Sequence, residues 1–502
     1  MEPLIFLLYS LFLLIFTQAL LHIKDWLFKK RVQLPPGPTG LPIIGSLLTL
    51  GDRPHESITK LAETYGPLMT VRLGFNVTVV ASSAEMAREI LQKNDQAFLG
   101  RPIPDAATAQ TNYDLSVVWL PGNEKWRNLR KIYKSQIFAT HRLDALQGSR
   151  HQAVDGMVRR VVEASEAGEA ISIGTLVFGT TLNSLSNTIF SVDIFDPKSN
   201  AIQELKELIW SIMELGGKPN LSDFFPLLKP FDLQGIRRST KVPYDRLHGL
   251  IDNMIDQRLE FRASGSPRCD DLLDVLLDLS KEQGHEEFNR LNIKVFLTDF
   301  FIGGTDTTSA TIEWAMTELL RNPDIMAKAK QELAETIGIG ESIQEKDIPR
   351  LPYLQAVLKE TMRLHPIAPF LLPRSLVDVE VCGCTIPKHT QVIVNAWAIA
   401  RDPMYWDKPT QFKPERFIDS KVDFRGTDFS FMPFGSGRRI CPGLDLAVRM
   451  LSLFLASLIH HFNWKLPDRM APEDIDIKDK FGLTLQKAVA LVAIPVVVAK
   501  AE

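Results

Sequence analysis

One cysteine in this chain stands among residues suited to chemistry. Cys441 lies in Phe431-Met-Pro-Phe-Gly-Ser-Gly-Arg-Arg-Ile-Cys-Pro-Gly443, a segment that runs into an apolar helical pattern from Leu444 to His460. Proline suits the first turn of a helix, so Pro442 places Cys441 at a helix N-terminus. The free N–H groups there favour a thiolate over a thiol. Gly435 and Gly437 permit a tight turn, and Gly443 leaves room for a flat ligand. A thiolate presented in this way can be an axial haem ligand that favours O–O cleavage. The other cysteines, Cys269, Cys382 and Cys384, form no zinc pattern.

A second constellation is Phe301-Ile-Gly-Gly-Thr-Asp-Thr-Thr308, which interrupts an apolar helical pattern from Asn292 to Arg321. Its glycines and threonines are poor helix formers and cost on the order of a few kcal/mol. Thr307 can bond back to the carbonyl of Gly303 and loosen the helix. Asp306 and Thr307 form an acid–alcohol pair able to relay protons.

Phe434, Gly437, Arg439, Cys441 and Gly443 match the Phe-x-x-Gly-x-Arg-x-Cys-x-Gly signature of the cytochrome P450 haem-thiolate monooxygenases. The chain resembles that family from about Leu34 to its end. The resemblance implies a mainly α fold, a helix-rich haem domain with small β-sheets. It implies haem b with Cys441 as the metal ligand, Phe434, Arg439 and Gly443 around the cofactor, and Asp306 and Thr307 as the catalytic pair. The family more often has alanine at Gly303. Trp126 and Arg130, four apart on one helix face, suit a cation–π pair by spacing alone. In the family that motif contacts a haem propionate, as does the arginine matching Arg374.

By the same resemblance, Val117, Phe300, Phe301, Gly303, Ile367, Phe370, Leu371 and Leu483 are substrate contacts, with Ser116, Val118, Trp210 and Met213 further candidates. Glu360, Arg363 and Arg416 match a buried structural network. His389 stands where the family usually has glycine, so it must accept a positive φ or change the turn.

Positioning these residues falls to the rest of the chain. Leu4 to Ile23 is apolar for about the length of a bilayer crossing, and Lys24, Lys29, Lys30 and Arg31 follow it. This predicts a single N-terminal transmembrane helix: a signal-anchor with its basic stop over 1–31, a proline-rich hinge over 32–50, and the haem domain over 51–502. The body then faces the cytosol, and the resemblance implies the endoplasmic reticulum membrane. The sequons at Asn76 and Asn220 should stay bare. Alternation predicts paired strands over 67–82, a helix over 84–92, and a functional loop over 103–121. Lys125, Arg127, Lys131 and Lys134 make either a solvated face or a dock for an acidic electron donor.

A net charge of −3 and 45% hydrophobic residues suggest no nucleic-acid partner, and few cysteines suit a reducing compartment. No flavin or nicotinamide motif is present, so electrons come from outside. The resemblance names NADPH–cytochrome P450 reductase as the donor, with cytochrome b5 a further candidate and O2 and a small apolar molecule as substrates. The strings Gly217-Lys-Pro-Asn-Leu-Ser-Asp-Phe-Phe-Pro226 and Lys480-Phe-Gly-Leu-Thr-Leu-Gln-Lys487 resemble the geraniol hydroxylase-like group of the plant A-type branch. That implies a terpenoid substrate, a monoterpenol or diterpenoid, with a phenolic or flavonoid substrate as the alternative. A reductase-independent isomerase or dehydratase of this fold would typically lack the Asp306–Thr307 pair. A non-catalytic membrane scaffold has no need of Cys441, Asp306 and Thr307 together.

Overall fold

The computed structural model describes residues 33–193, 201–269, 271–281, 288–467 and 470–498, together with Tyr9, Phe12 and Phe16. Apart from those three positions, the expected membrane anchor lies outside the described residues.

Proline at the first position opens α1 (Pro54–Tyr65). The alternating stretch folds as the antiparallel hairpin β1 (Leu68–Leu73) and β2 (Asn76–Ala81), in register from Leu68 opposite Ala81 to Leu73 opposite Asn76. The proline-rich segment is bonded to the first strand. The Thr70 N–H donates to Pro36 O (2.7 Å) and the Ser46 N–H to Arg72 O (2.7 Å). A Cβ on Gly37 would lie 1.8 Å from the Thr70 oxygen, so glycine there allows two backbones to meet. Residues 36–46 are thus strapped along β1, and the folded body begins before the predicted boundary at 51.

Asn123 caps α2 (Glu124–Ile132) by accepting from the Trp126 N–H, and the chain continues into a π-helical turn, Tyr133–Ile137. The almost wholly buried α3 (Ile173–Phe190) crosses the core, followed by α4 (Ala201–Gly217) and α5 (Ile236–Ala263). Asn289 then caps α6 (Arg290–Arg321) through the N–H groups of Leu291 and Asn292. This helix runs unbroken through the predicted interruption. It packs tightly on α3, where a Cβ on Gly304 would come within 2.7 Å of Leu185.

Pro352 opens α7 (Pro352–Leu364), and β3 (Phe370–Leu371) and β4 (Gln391–Asn395) complete a sheet of order β1-β2-β4-β3. Strand β2 runs parallel to β4, and β3 antiparallel to it. The helix after Cys441, α8 (Leu444–His461), is long and apolar enough to cross a bilayer, yet it is mostly buried in the body. A last short hairpin joins β5 (Asp479–Phe481) to β6 (Leu485–Lys487). One hydrophobic core runs through α3, α6, α7 and α8. The fold is mainly α with small sheets at its margin.

Candidate active site

The cysteine segment is held by its backbone. Gly437 has φ 67°, and a Cβ there would strike the Leu91 carbonyl at 2.2 Å; the Cys441 N–H donates to Phe434 O (2.9 Å). Pro442 is not in the first turn: α8 starts at Leu444 with Gly443 as its N-cap. Cys441 therefore lies just ahead of the helix. Burial pushes its thiol up, while the Gly443 N–H and the Arg130 guanidinium favour the thiolate. Binding to a metal cation deprotonates such a thiol outright.

Cys441 lines a cavity of about 430 Å³ together with Gly303, Gly304, Thr307 and Thr308 of α6. Its apolar wall includes Val117, Val118, Phe300, Ile367 and Leu371. Trp126, Arg130, Phe434, Arg439 and Gly443 border it, and so does Arg101. Arg439 lies 4.7 Å above the Trp126 ring and Arg130 5.8 Å from it, while the indole N–H donates to Val117 O (3.2 Å).

The three arginines lack a counter-charge among the described residues. Arg130 donates to Ile440 O (2.7 Å), Arg439 to Leu99 O (2.7 Å), and Arg101 to Leu372 O (3.1 Å). None has a carboxylate partner among the described residues, and the buried Arg439 Nε has no partner at all. Burial pushes Arg101 down to about 10. Burial, with Arg101 and Arg130 nearby, pushes Arg439 down to about 9. A flat ligand that brings two carboxylates to these cations and a metal to the thiol meets every lack. Haem b fits the residues present.

Arg374 is elsewhere. Its Nε donates to His389 O (2.9 Å), and its side chain borders a larger outer cleft of about 1770 Å³. His389 accepts φ 68° in place of the usual glycine. Phe370 and Leu483 also line the outer cleft rather than the cavity. Adjacent strand residues project to opposite faces, which sends Phe370 outward and Leu371 inward. Phe301 faces away too, stacked on Phe190 at 6.0 Å, whereas Phe300 stacks on Phe138 at 5.8 Å inside the cavity. Trp210 sits beneath Lys480 (5.2 Å) and Met213 O accepts from the Leu483 N–H (2.8 Å), so both brace the last hairpin.

The Thr307 hydroxyl donates to Gly303 O (2.6 Å). A Cβ on Gly303 would meet nothing within 4 Å, so the groove there is open. Asp306 points to the other side of α6. Its carboxylate accepts from Thr484 Oγ1 (2.8 Å) and from the Gln486 amide, and it is 1% exposed. Burial pushes it up to about 6, against the opposing pull of Thr484, Lys206 and Gln486. The acid–alcohol pair is adjacent in sequence but not in orientation.

Glu360 and Arg363 do meet, both fully buried, at 2.7 and 2.8 Å, and Arg416 Nε joins Glu360 at 3.1 Å. Arg363 also donates to the carbonyls of Ala400 (2.7 Å) and Pro409 (2.8 Å). Phe417, next to Arg416, packs on Phe431 at 5.1 Å, at the head of the cysteine segment. The ionic cluster thus positions Cys441 from behind.

Among the cavity residues that the sequence left unassigned are three polar ones, Arg101, Tyr133 and Asp299. Arg101, set in Gly-Arg-Pro before a long loop, carried a faint signal. Asp299 carried none, since an acid within an apolar helix reads as a solvated position.

The cytochrome P450 family model matches residues 35–492. The chain is 50% identical over 483 residues to geraniol 8-hydroxylase of Catharanthus roseus, covering 96% of this chain and 98% of that one. It is 48% identical to geranylhydroquinone 3''-hydroxylase of Arnebia euchroma, over 94% of this chain and 95% of that one. It is 46% identical to 7-ethoxycoumarin O-deethylase of Helianthus tuberosus, over 97% and 99% respectively. With a thiol, arginines that lack a counter-charge and an open helix groove around one cavity, the chain belongs to the cytochrome P450 family and is a haem-thiolate monooxygenase.

Proposed function

We propose that this monooxygenase hydroxylates a small terpenoid, a monoterpenol or diterpenoid, using O2 and electrons that NADPH–cytochrome P450 reductase draws from NADPH. The observation that carries the reading is the end-to-end likeness to a geraniol 8-hydroxylase, in a chain whose Cys441 and Thr307 share one apolar-walled cavity.

When bound, the haem supplies reductive O2 activation and insertion of one oxygen atom into a C–H bond. Cys441 would ligate its iron, Arg101, Arg130 and Arg439 would pair with its carboxylates beside Trp126, and Phe434 and Gly443 would border it. Arg374 acts at the mouth, through the 388–390 turn. The Thr307 hydroxyl, oriented by the Gly303 carbonyl, positions water in the groove and passes protons on. Asp306 replenishes them after swinging from Thr484 and Gln486. Its raised carboxyl keeps a protonated share near neutral pH, as a relay requires. The aliphatic and phenylalanine wall excludes water and holds the substrate.

Residues 4–23 anchor the chain singly in the endoplasmic reticulum membrane, with the body in the cytosol. The exposed Arg127, Lys131 and Lys134, with Lys125, offer the reductase, and cytochrome b5 after it, a basic docking face. A phenolic or flavonoid substrate is the second reading, favoured by the likeness to 7-ethoxycoumarin O-deethylase and by the Phe138–Phe300 stack. Microsomes carrying the protein and reductase, offered terpenols and flavonoids together, decide between them. Reductase-dependent hydroxyterpenol should dominate. Oxidised flavonoid alone would replace the first reading with the second.

A further inference from the structure

Two carboxylates line the cavity. Asp95 is neutralised by Arg438 at 2.6 Å. Asp299, on α6, has no cationic partner among the described residues. It accepts from Ser116 Oγ (2.8 Å) and from the Val117 N–H. A carboxylate offers about four lone-pair sites, so these two donors leave acceptor capacity unused. The wall it shares is largely apolar, with Val117, Val118, Phe296 and Phe300 in it, and the Tyr133 and Tyr244 phenols stand near enough to feel its charge. Shielding from bulk water pushes the Asp299 carboxyl up to about 7. Cavities of this kind use a few placed polar groups to orient a ligand that is held mainly by apolar contact.

We propose that Asp299 is the substrate's polar anchor, accepting a hydrogen bond from the hydroxyl of an aliphatic terpenoid alcohol and fixing how the carbon chain lies along α6. The inference rests on the terpenoid reading above and adds the recognition element and the register of oxidation. Asp299 precedes Thr307 by eight positions, about 12 Å along a helix axis. A linear ten-carbon alcohol anchored at Asp299 therefore reaches Thr307 with its far end. Oxidation falls on the carbons remote from the hydroxyl. Ser116 and Val117 become positioning residues: they hold the carboxylate, and Asp299 in turn holds their loop.

A purely structural clamp and an anchor make different demands. Loss of a clamp weakens every ligand alike; loss of an anchor weakens only ligands that can donate. The test is a substrate-binding titration of the full-length holoenzyme with geraniol and with its O-methyl ether, in wild type, Asp299→Asn and Asp299→Ala. Wild type should bind the alcohol roughly ten- to a hundredfold more tightly than the ether. Asp299→Ala should bring that ratio near one and spread the oxidation over more carbons, while Asp299→Asn keeps part of it through its amide oxygen. A wild-type ratio near one overturns the anchor without recourse to any variant, should Asp299→Ala fail to load haem. If geraniol is hydroxylated and the ratio ignores residue 299, the anchor falls alone. If wild type binds no terpenol and oxidises phenols, the anchor and the terpenoid reading fall together.

Discussion

Behind Cys441, the wall of the cavity is locked by charge. Glu360 and Arg363 are wholly buried; Glu360 accepts from Arg363, from Arg416 Nε and from the Lys413 N–H, and Arg363 also donates to the carbonyls of Ala400, Pro409 and Gln411. The opposite roof is held by dispersed contacts, small hydrogen-bond sets and partly exposed ion pairs such as Arg237–Asp105 (3.6 Å) and Lys480–Glu214 (2.8 Å). Ser116 reaches Asp299 through one hydroxyl. Asp223 accepts one N–H from Asp105 (2.6 Å). The 482–484 turn hangs from Met213 O and Ile367 O through the N–H groups of Leu483 and Leu485 (both 2.8 Å). A buried ionic cluster cannot lose one member without stranding another charge. Single hydrogen bonds of about 1 kcal/mol each can be exchanged. One wall thus fixes the thiolate while the other is free to be recut for different substrates.

Glu360→Ala attacks the rigid wall and should have the largest effect. It strands Arg363 and Arg416, costing about 3–5 kcal/mol, so little haem-loaded protein should accumulate by absorbance. Near-wild-type haem content would contradict the idea that charge holds this wall. Cys441→Ser removes the ligand but none of that network. Far-UV circular dichroism should therefore persist, while the strongly red-shifted Soret band of the reduced carbon monoxide complex disappears.

Changes in the roof should be graded. Replacing Thr484 with valine and Gln486 with leucine removes both donors that favour the Asp306 carboxylate. The Asp306 carboxyl should rise above about 6, and the pH dependence of turnover should move upward with the haem spectrum unchanged. A profile that stays in place would exclude Asp306 from the relay.

The smallest effect concerns Asp299 and stability. Its carboxyl is raised in the fold from 3.8 to about 7. The stability this gives is complete below the unfolded value and lost as pH rises through about 7. Asp299→Asn should therefore melt roughly 1–2 °C above wild type at pH 8, and the gap should narrow toward pH 5.5. A gap that widens on acidification would reverse the sign of the argument.

The same contrast explains what the sequence revealed. Cys441, Glu360–Arg363 and Thr307 were legible because each role needs fixed residue types at short spacing. A thiolate loop needs its glycines, an ion pair on a helix needs a three-residue step, and a back-bonded threonine needs the carbonyl four residues earlier. Phe301 was misassigned because a one-residue step on a helix turns a ring from cavity to core. Phe370 was misassigned by the same error on a strand, and Arg374 because a turn carbonyl captured it. The stitching of the stiff proline segment to β1 left no sequence signal, because proline carbonyls still accept hydrogen bonds. Asp299, Thr484 and Gln486 left no local trace. Their meaning comes from partners more than 170 residues distant.

The direct test of the division of labour across α6 is coupling in Thr307→Ala, measured as NADPH consumed against hydroxyterpenol formed with reductase present. The Cys441 wall is untouched by this change, so the red-shifted carbon monoxide band should remain. NADPH should still be consumed, while product per NADPH falls roughly tenfold or more, the range of a lost proton-transfer group. Product and coupling equal to wild type, or product formed without reductase, would contradict the account.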